Sequence, residues 1–423
     1  MRVTLIALGS RGDVQPYVAL GRGLHQAGHH VTVLASADFH DLVTSHGLQF
    51  ADMGGRLEDV AQGLQDLLEQ GQWLKILPRM GRAAQALAGQ AAAAGLAAAQ
   101  GADLLVAGLG GLFVGMALAE KLGLPLVQAY LYPFTPTREF PSILTPLPQT
   151  PLTAWANGPS HHLARQMMWQ MTRAADNQAR VQVLGLPPAP RWGPFAAQPW
   201  PTLYGYSPRV IPRPQDWAAS IEVTGYWFLP PPADWAPPAD LVAFLRAGPP
   251  PVYIGFGSMT SRRPGEAAEL VLAALARAGQ RGVLYAGWGG LKREALPEHV
   301  FMTSAVPHTW LFPQMAAVVH HGGAGTTAAG LAAGVPSILT PFMGDQPFWG
   351  RRVAALGVGP QPIPRSKLTV EGLARAIQQA VGDPALRQRA ADLGAQIRAE
   401  DGVGRAVAAV EAAGRVSAPR ALG

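Results

Sequence analysis

The sequence contains no cysteine and few charged residues. Without cysteine among its 423 residues, disulfide bonds and thiolate metal sites are excluded. Charged residues make up 14%, well below the usual quarter of a globular protein. The lack of cysteine fits a reducing compartment, and we predict a cytoplasmic location.

Long apolar runs are also absent. The nearest candidate for a membrane span, residues 104–119, is sixteen residues without a charge but contains four glycines, and a span needs about twenty apolar residues. The apolar start, Met1 to Gly9, is interrupted at once by polar residues, so we expect a strand rather than a signal peptide. We therefore expect a soluble protein.

The net charge of +6 comes mostly from scattered arginines. This excess mildly favours an anionic ligand, and it favours weak peripheral contact with an acidic membrane surface. No dense basic run predicts binding to nucleic acid. Much of the charge is equally explained by overall composition.

Short apolar strands alternate with longer helical patterns, which predicts an α/β protein with parallel sheets covered by helices. A chain of this length suits two domains, and prolines 208, 212 and 214 predict a hinge between them. We expect domains at 1–210 and 211–400, followed by a C-terminal helix and tail at 401–423. The predicted strands are Val3–Leu8, Val31–Ala35, Leu104–Ala107, Leu126–Ala129, Thr202–Tyr206, Val252–Phe256, Gly282–Ala286, Val300–Thr303, Ala317–His320 and Ser337–Thr340.

A glycine-rich turn follows the apolar strand that ends near His320. Glycine lets backbone N–H groups approach a ligand closely, and a helix that begins there adds its partial positive charge. Such a turn is suited to a diphosphate. Asp345 and Gln346 follow the next strand, where they can hold the hydroxyls of a sugar. This pattern predicts a nucleotide-sugar site.

A second loop, Gly9-Ser-Arg-Gly-Asp13, follows the first strand and opens a helix. A loop at the carboxyl end of a strand faces the ligand crevice of an open parallel sheet. Asp13 is either a capping residue or a catalytic base, and the residues alone leave both open. At this helix end we expect the dipole to keep the carboxylate ionised and its pKa low.

The segment Pro133 to Pro159 carries seven prolines and many aromatic residues. Long loops inside compact domains are usually functional or disordered. We predict a cover over a hydrophobic ligand, with Tyr132, Phe134 and Phe140 binding the acceptor. A poorly ordered loop is the alternative.

Six phrases together resemble the sterol 3-β-glucosyltransferases and the glycosyltransferases of vancomycin-type antibiotics, over nearly the whole chain. Both groups are inverting, nucleotide-sugar-dependent family 1 enzymes of the GT-B fold. The resemblance implies two facing Rossmann-like domains and a C-terminal helix that crosses back to the first. The phrases are Gly9-Ser-Arg-Gly-Asp-Val-Gln-Pro16, Gly255-Phe-Gly-Ser-Met259, Gly287-Trp-Gly-Gly290, Val306-Pro-His-Thr-Trp-Leu-Phe-Pro313, His320-His-Gly-Gly-Ala-Gly-Thr326 and Pro341-Phe-Met-Gly-Asp-Gln-Pro-Phe-Trp349.

The resemblance implies that Asp13 is the general base and that the product is a β-glycoside. It implies that the donor is a UDP-sugar, with UDP-glucose favoured, and that the acceptor is a sterol, hopanoid, carotenoid or polyketide. The His-x-Gly frame of the family selects His320 for the diphosphate and leaves His321 to packing. The implied donor-binding residues are Ser10, Gly12, Ser258, Trp288, Val306, His320, Gly322, Gly323, Ala324, Gly325, Thr326, Asp345 and Gln346.

Two further features concern the donor nucleotide and the need for a metal. Relatives from plants stack the base on a tryptophan where this chain has Ala305, so dTDP remains an alternative to UDP. No Asp-x-Asp pair occurs in the sequence, so we expect no metal and no other cofactor.

Two other functions compete with sugar transfer. Gly323-x-Gly325-x-x-Ala328 fits a dinucleotide fingerprint, with Asp345 twenty residues beyond Gly325, which suits an oxidoreductase. However, the ribose-binding acid should end the next strand directly, and here other residues intervene. A non-catalytic carrier of apolar ligands is the second alternative, because fold alone does not prove activity.

Overall fold

The computed structural model describes residues 1–54, 87–145, 153–196, 200–232, 234–256, 264–285, 296–303 and 306–417. The chain divides into two compact units. The first contains Met1–Leu229 and Asp401–Gly423, and the second contains Pro230–Glu400.

The first unit is built on a seven-stranded parallel sheet with the order β3-β2-β1-β4-β5-β6-β7. Its central strands are rich in Val, Leu and Ile and are buried on both faces, as expected for a parallel sheet covered by helices. Val3 of β1 pairs with Val31 on one side and with Leu104 on the other. The strands are β1 Arg2–Ile6, β2 His30–Ala35, β3 Gln49–Asp52, β4 Leu104–Ala107, β5 Leu126–Tyr130, β6 Thr202–Tyr204 and β7 Ile221–Val223.

The second unit is built on a five-stranded parallel sheet with the order β10-β9-β8-β11-β12. His320, the last residue of β11, pairs with Gly255 of β8 and with Leu339 of β12. The strands are β8 Val252–Gly255, β9 Gly282–Tyr285, β10 Val300–Thr303, β11 Ala317–His320 and β12 Ser337–Leu339.

Helices cover both sheets. In chain order they are α1 Arg11–Gln26, α2 His40–Thr44, α3 with its described part at 87–98, α4 Leu112–Leu122, α5 Asn157–Gln182, α6 Ala239–Arg246, α7 Pro264–Ala278, α8 His308–Leu311, α9 Ala324–Ala333, α10 Gln346–Ala355, α11 Val370–Gly382, α12 Pro384–Arg398 and α13 Gly402–Ser417. None of the helices in the described part of the chain combines the length and the apolar composition that a bilayer crossing requires.

The C-terminal helix α13 packs against α1 in the first unit. A Cβ added at Gly23 of α1 would collide with Val403, so the two helices approach closely because this position has no side chain. His29 Nε2 lies 3.0 Å from Glu411 Oε1 and joins α13 to the loop after α1. This arrangement agrees with the predicted return of the C-terminal helix.

The predicted fold class is confirmed, and each of the ten predicted strands has a counterpart. The short strands β3 and β7 were not predicted, because they lie at the edges of the sheet and lack a continuous apolar run. Because β7 pairs with β6, the first unit runs to Leu229 rather than to residue 210. Prolines 208–214 therefore lie inside the first unit, and the hinge predicted there does not coincide with the division between the units.

Candidate functional sites

The first candidate site lies at the carboxyl ends of β1 and β4, where the strand order of the first sheet reverses. Ligands of open parallel sheets bind at such switch points. The loops after the two strands touch, and a Cβ added at Gly110 would collide with the carbonyl oxygen of Leu8. The crevice between them is lined by Leu8, Asp13, Tyr17, Gly108, Leu109, Gly110, Leu131 and Tyr132.

Asp13 is held in this crevice by the turn that starts α1. Ser10 is the N-cap, and Asp13 is the third residue of the helix. Oδ2 of Asp13 accepts hydrogen bonds from the backbone N–H and the hydroxyl of Ser10, each at 2.9 Å. Gly9 has φ +146°, and a Cβ there would lie 2.6 Å from the Asp13 carboxylate. The carboxylate thus sits directly above a glycine that leaves room for it.

Burial raises the pKa of the Asp13 carboxyl above its ordinary value, although the two hydrogen bonds from Ser10 act in the opposite direction. The expectation of a low pKa at this helix end was wrong. The helix dipole lowers the pKa of Asp13, but desolvation of the carboxylate raises it and outweighs the favourable contacts here. An aspartate with a raised pKa is a stronger base than an ordinary one.

Tyr17 and Tyr132 form part of the same crevice. The Tyr17 hydroxyl donates to the carbonyl of Ala129 at 2.6 Å, and its ring packs edge-on against Trp227. The Asp13 charge helps to raise the pKa of Tyr17, after burial, so the two groups are close. Tyr17 is therefore uncharged and lines the crevice beside the Asp13 carboxylate.

The other two predicted acceptor residues lie in the layer between the loop after β5 and helix α5. Phe134 is buried against Tyr130, with the Arg165 guanidinium 5.1 Å from its ring centre. Phe140 packs against the ring of His161. The structure thus places Tyr132 at the crevice, whereas neither phenylalanine is among the described residues that line it.

The described part of this loop, residues 133–145, is held by specific hydrogen bonds. The Tyr204 hydroxyl accepts from the N–H groups of Phe134 and Thr135, at 3.1 and 2.7 Å. Asp216 accepts from the Thr137 hydroxyl at 2.7 Å and from the Arg138 N–H at 2.8 Å. Residues 146–152 of the predicted cover lie outside the described part of the chain.

The second candidate site is the glycine turn between β11 and α9. Gly322 has φ +93°, a conformation that favours glycine, and Gly323 is the N-cap of α9. The N–H groups of Ala324, Gly325 and Thr326 occupy the first turn, where a helix has no internal acceptors for them. A glycine cap has no side chain to accept from them, so this helix end is open to an anion.

The two histidines before this turn differ in position. His320 is fully buried, and its Nδ1 accepts from the Gly322 N–H at 3.1 Å. His321 is partly exposed and lies over the turn, since a Cβ added at Gly323 would be 2.6 Å from His321 Nε2. His321 thus lies at the turn from its exposed side and His320 from within the core, where His320 Nε2 has no hydrogen-bond partner among the described residues.

Both imidazoles are neutral at physiological pH. Burial lowers the pKa of His320 well below its ordinary value, and it lowers the pKa of His321 to about 4. Either ring can therefore act as a hydrogen-bond donor through one N–H but supplies no positive charge.

Asp345 and Gln346 begin helix α10 next to the turn. A Cβ added at Gly322 would lie 3.2 Å from the Gln346 carbonyl oxygen. The Gln346 side-chain oxygen accepts from the N–H groups of Phe342 and Met343, at 2.8 and 3.3 Å, which orders the loop and leaves its NH₂ as a donor. Trp349 is fully buried and donates from Nε1 to Asp345 Oδ2 at 2.8 Å.

The remaining predicted residues give less information. Val306 is nearly buried, and its backbone N–H and C=O make no backbone hydrogen bond with other described residues. Ser10 and Gly12 are exposed at the start of α1. Ser258 and Trp288 lie outside the described residues.

Three residues of these sites were not predicted in their structural roles. Gly110 could have been found from the phrase Gly108-Leu-Gly-Gly111 directly after a strand. Tyr17 carries no local signal, because its hydroxyl is placed by β5, far away in the sequence. Trp349 ends the phrase that begins at Pro341, and its spacing of four residues from Asp345 on a helix was the missed indication.

Comparisons with known proteins agree with these two units. Residues 3–141 match the glycosyltransferase family 28 N-terminal domain, and residues 284–411 match the erythromycin biosynthesis protein CIII-like C-terminal domain. Among solved structures, spinosyn forosaminyltransferase SpnP has a TM-score of 0.68 at 18% identity, covering 98% of this chain and 99% of that one. Streptomyces sp. SF2575 glycosyltransferase SsfS6, complexed with thymidine diphosphate, has a TM-score of 0.62 at 21% identity, covering 96% and 98%. Likeness at this level of identity establishes the GT-B fold.

The similarity in sequence is greater to enzymes from plants and fungi. Sterol 3-beta-glucosyltransferase UGT80B1 of Arabidopsis thaliana is 35% identical over 96% of this chain and 67% of its own length. A second Arabidopsis thaliana relative, UGT80A2, is also 35% identical, and the chain spans 65% of its length. Sterol 3-beta-glucosyltransferase of Aspergillus clavatus is 36% identical, and the chain spans 29% of it. With this identity across both units, the chain is a glycosyltransferase that belongs to the sterol 3-β-glucosyltransferase family.

Proposed function

We propose that the protein transfers glucose from UDP-glucose to a hydroxyl of a hydrophobic acceptor, with inversion, to give a β-glycoside. The observation that carries the proposal is the aspartate of raised pKa at the switch point of the first sheet. A base is the group that an inverting transfer to an alcohol requires. The family to which the chain belongs supports the sugar and the class of acceptor.

Asp13 acts as the general base in this proposal. Its carboxylate takes the proton of the acceptor hydroxyl as the oxygen attacks the anomeric carbon, and the diphosphate leaves from the opposite face. Burial makes Asp13 a stronger base, which reduces the mismatch between a carboxylate and an alcohol. The hydrogen bonds from Ser10 hold Oδ2 of Asp13, so we assign the proton transfer to Oδ1.

The leaving diphosphate is stabilised by the open end of α9. The three N–H groups of its first turn and the helix dipole supply positive potential without a metal ion. His321 adds a neutral hydrogen-bond donor beside them, and His320 fixes the turn from within the core. We therefore propose a metal-independent reaction in which a chelator leaves turnover unchanged.

Asp345 and the free NH₂ of Gln346 hold hydroxyls of the sugar. Both side chains are oriented before the donor arrives, Asp345 by Trp349 and Gln346 by the loop N–H groups. Preorganised groups bind without a further cost of ordering. The backbone groups of Val306 bind the pyrimidine base of the donor. We propose UDP as the donor nucleotide, with dTDP as the alternative.

The two competing functions make different demands on the structure. In a dinucleotide-binding oxidoreductase the ribose-binding acid ends the strand after the glycine turn. Here β12 ends at Leu339, and Asp345 caps the helix α10 instead. A non-catalytic carrier would not need an aspartate of raised pKa in its crevice.

The acceptor is a sterol, hopanoid, carotenoid or polyketide, and the reaction takes place in the cytoplasm, with weak peripheral contact to a lipid surface. The apolar wall that Leu8, Leu131 and Tyr132 provide beside Asp13 supports such an acceptor.

The test is a mass-spectrometric screen of UDP-glucose, dTDP-glucose and UDP-galactose against a panel of hydroxylated lipids, with and without EDTA. We expect a glucoside of at least one lipid, formed fastest from UDP-glucose and unaffected by EDTA. The Asp13→Asn variant is the matched control and should form no product at comparable enzyme concentration. Donor turnover with no sugar on any acceptor, or no turnover of any donor, would reject the proposal.

A further inference from the structure

The large apolar side chains that the described part of the chain exposes all lie between residues 144 and 192. These seven are Leu144, Trp155, Leu163, Met167, Met171, Val181 and Trp192. Two are tryptophans, with exposed fractions of 79% and 68%. Single exposed apolar residues are normal on a protein surface, but a group confined to one segment marks a contact surface.

Four of them form a row along helix α5. Leu163, Met167 and Met171 are spaced by four residues and so follow one another on one face of the helix. Val181 lies eighteen residues after Leu163, which is five helical turns, so it returns to the same face. The opposite face of α5 is already used, since Ala164, Trp169 and Ala179 are buried.

The two tryptophans extend this row at its sides. Trp155 lies in the turn Ala154–Ala156, directly before α5 begins. The carbonyl of Trp192 accepts from Gln166 Nε2 at 2.7 Å, and the carbonyl of Arg191 accepts from Gln170 Nε2 at 2.8 Å. These bonds hold the segment that carries Trp192 beside the row. We call Trp155, Leu163, Met167, Met171 and Trp192 the apolar face.

The charges around this face are positive. Residues 153–196 contain four arginines, one aspartate and no lysine or glutamate. Arg180 is buried and paired with Glu120, and Arg165 is largely buried, so Arg173 and Arg191 carry the exposed charge. Arg191 is exposed, with its guanidinium 5.5 Å from the centre of the Trp192 ring. Arg173 is half-exposed on α5, and the one acid, Asp176, is largely buried. A cationic rim around exposed tryptophans complements an anionic lipid surface.

We propose that the apolar face docks the protein onto the surface of an anionic lipid bilayer. Trp155 and Trp192 insert at the level of the headgroups, Leu163, Met167 and Met171 lie against the acyl boundary, and the arginines pair with lipid phosphates. Tryptophan has an apolar body and a polar N–H, which suits this interface. The docking itself does not depend on the proposed function. Its benefit for catalysis does, because the membrane would then be the source of the hydrophobic acceptor.

The experiment measures the sedimentation of the full-length protein with vesicles, without a sugar donor or an acceptor. The vesicles contain phosphatidylcholine alone or with 30% phosphatidylglycerol. Leu163→Glu/Met167→Glu is compared with Gln361→Glu/Gln379→Glu, which adds the same charge at exposed positions of the second unit. Thermal unfolding of each variant checks that it is folded.

We expect the wild type to bind phosphatidylglycerol vesicles, and the face variant to bind them roughly tenfold less or weaker still. The control variant should bind as the wild type does. Wild-type protein that stays in the supernatant at both compositions, or a face variant that binds normally, would overturn the proposal. So would light scattering that shows a wild-type dimer and a monomeric face variant, because the face would then bind a second copy of this chain.

Turnover separates this proposal from the proposed function. An acceptor is supplied either in cyclodextrin or within the vesicles. We expect the face variant to lose turnover only with the vesicle-borne acceptor. If turnover falls equally with both supplies while vesicle binding is retained, the face belongs to the acceptor site and the docking proposal fails. If the wild type binds vesicles but glycosylates no acceptor, docking stands and the proposed function fails.

Discussion

The two sheets of this protein use the same kind of switch point for different chemistry. In each, the strand order reverses between the first strand and a later neighbour, β1 beside β4 and β8 beside β11. At the first reversal the loops present one carboxylate among tyrosines and leucines. At the second they present backbone N–H groups and polar side chains that hold one another in place. The backbone architecture thus places a site, and the loop residues decide what it binds.

The contrast is sharpest at the helices that start beside these strands. The N-terminus of α1 is closed by its own anion, because Asp13 accepts from the Ser10 N–H. The N-terminus of α9 has a glycine cap and no acidic residue in its first turn. A helix end attracts one anion, so the first is satisfied internally and the second is open to a ligand.

The largest effect should come from Asp13→Asn. Asparagine can still accept from Ser10 through its oxygen but cannot take a proton, so turnover should fall by roughly 10²–10⁴-fold. Donor binding should be unchanged, because the groups that we propose to hold the diphosphate and the sugar belong to the second site. Single-turnover kinetics and calorimetric titration with UDP measure the two quantities.

This variant should not lose stability. Burial of the Asp13 charge opposes ionisation in the folded protein, so a neutral side chain removes a cost rather than a contact. Turnover within a factor of two of the wild type would show that the first site holds no base. A matching loss of UDP affinity would show that the two sites are not chemically distinct.

Gly322→Ala tests the second site. An alanine at φ +93° is strained, and its Cβ would press on the Gln346 carbonyl at 3.2 Å. We expect UDP affinity to fall by roughly 10- to 100-fold, from about 1–3 kcal/mol of strain and displacement of the turn. The control is Gly279→Ala, which has φ +66° but no atom within 4 Å of the added Cβ.

Gly279→Ala should show the loss of thermal stability that backbone strain causes, with normal UDP binding. If both variants lose stability and neither loses affinity, the glycine turn does not bind the diphosphate.

The fold was predictable because its strands are buried on both faces. Such strands are continuous apolar runs, as in Leu104–Ala107 and Ala317–Val319, and they can be recognised without knowledge of their neighbours. The edge strands β3 and β7 are only partly buried and have no such signal. The boundary between the units was misplaced for the same reason, since it depends on β7.

The site was predictable only where its residues are close in sequence. The loop that holds Asp13 and the turn at Gly322 each lie within a single phrase. The pKa of Asp13 was not predictable, because it depends on burial by residues that the loops after β4 and β5 bring to the crevice, such as Gly110 and Leu131. The choice between His320 and His321 depends on which ring faces the core, and that is decided by the packing of β11 between β8 and β12.

Trp349→Phe should have a smaller effect than either change above. Phenylalanine keeps most of the buried volume but removes the N–H that donates to Asp345 at 2.8 Å. A hydrogen bond to an ionised group contributes about 1.5–3 kcal/mol, and water can replace part of it, so we expect kcat/KM to fall roughly tenfold. The KM for UDP-glucose should rise, and the affinity for UDP alone should stay unchanged, because Trp349 acts through Asp345 on the sugar.

The matched control is Trp310→Phe. Trp310 packs edge-on against the ring of Trp235, as Trp349 does against the ring of Phe348. It should leave both constants unchanged. An equal loss of affinity for UDP and UDP-glucose in Trp349→Phe would mean that Trp349 supports the turn rather than the sugar-binding carboxylate.

The smallest effect concerns the pH dependence of the first site. Asp13 must be ionised to act as a base, so kcat/KM should fall as the pH drops through its pKa. Because burial raises that pKa, the acid limb should lie above the range of an ordinary aspartate.

The Ser10 hydroxyl lowers the pKa by donating to the ionised form. Ser10→Ala should therefore move the limb to still higher pH while the plateau at high pH stays the same. The control Ser45→Ala, at an exposed serine near the end of α2, should leave the limb in place. A limb that moves to lower pH in Ser10→Ala, or one that persists unchanged in Asp13→Asn, would assign the titration to a group other than Asp13.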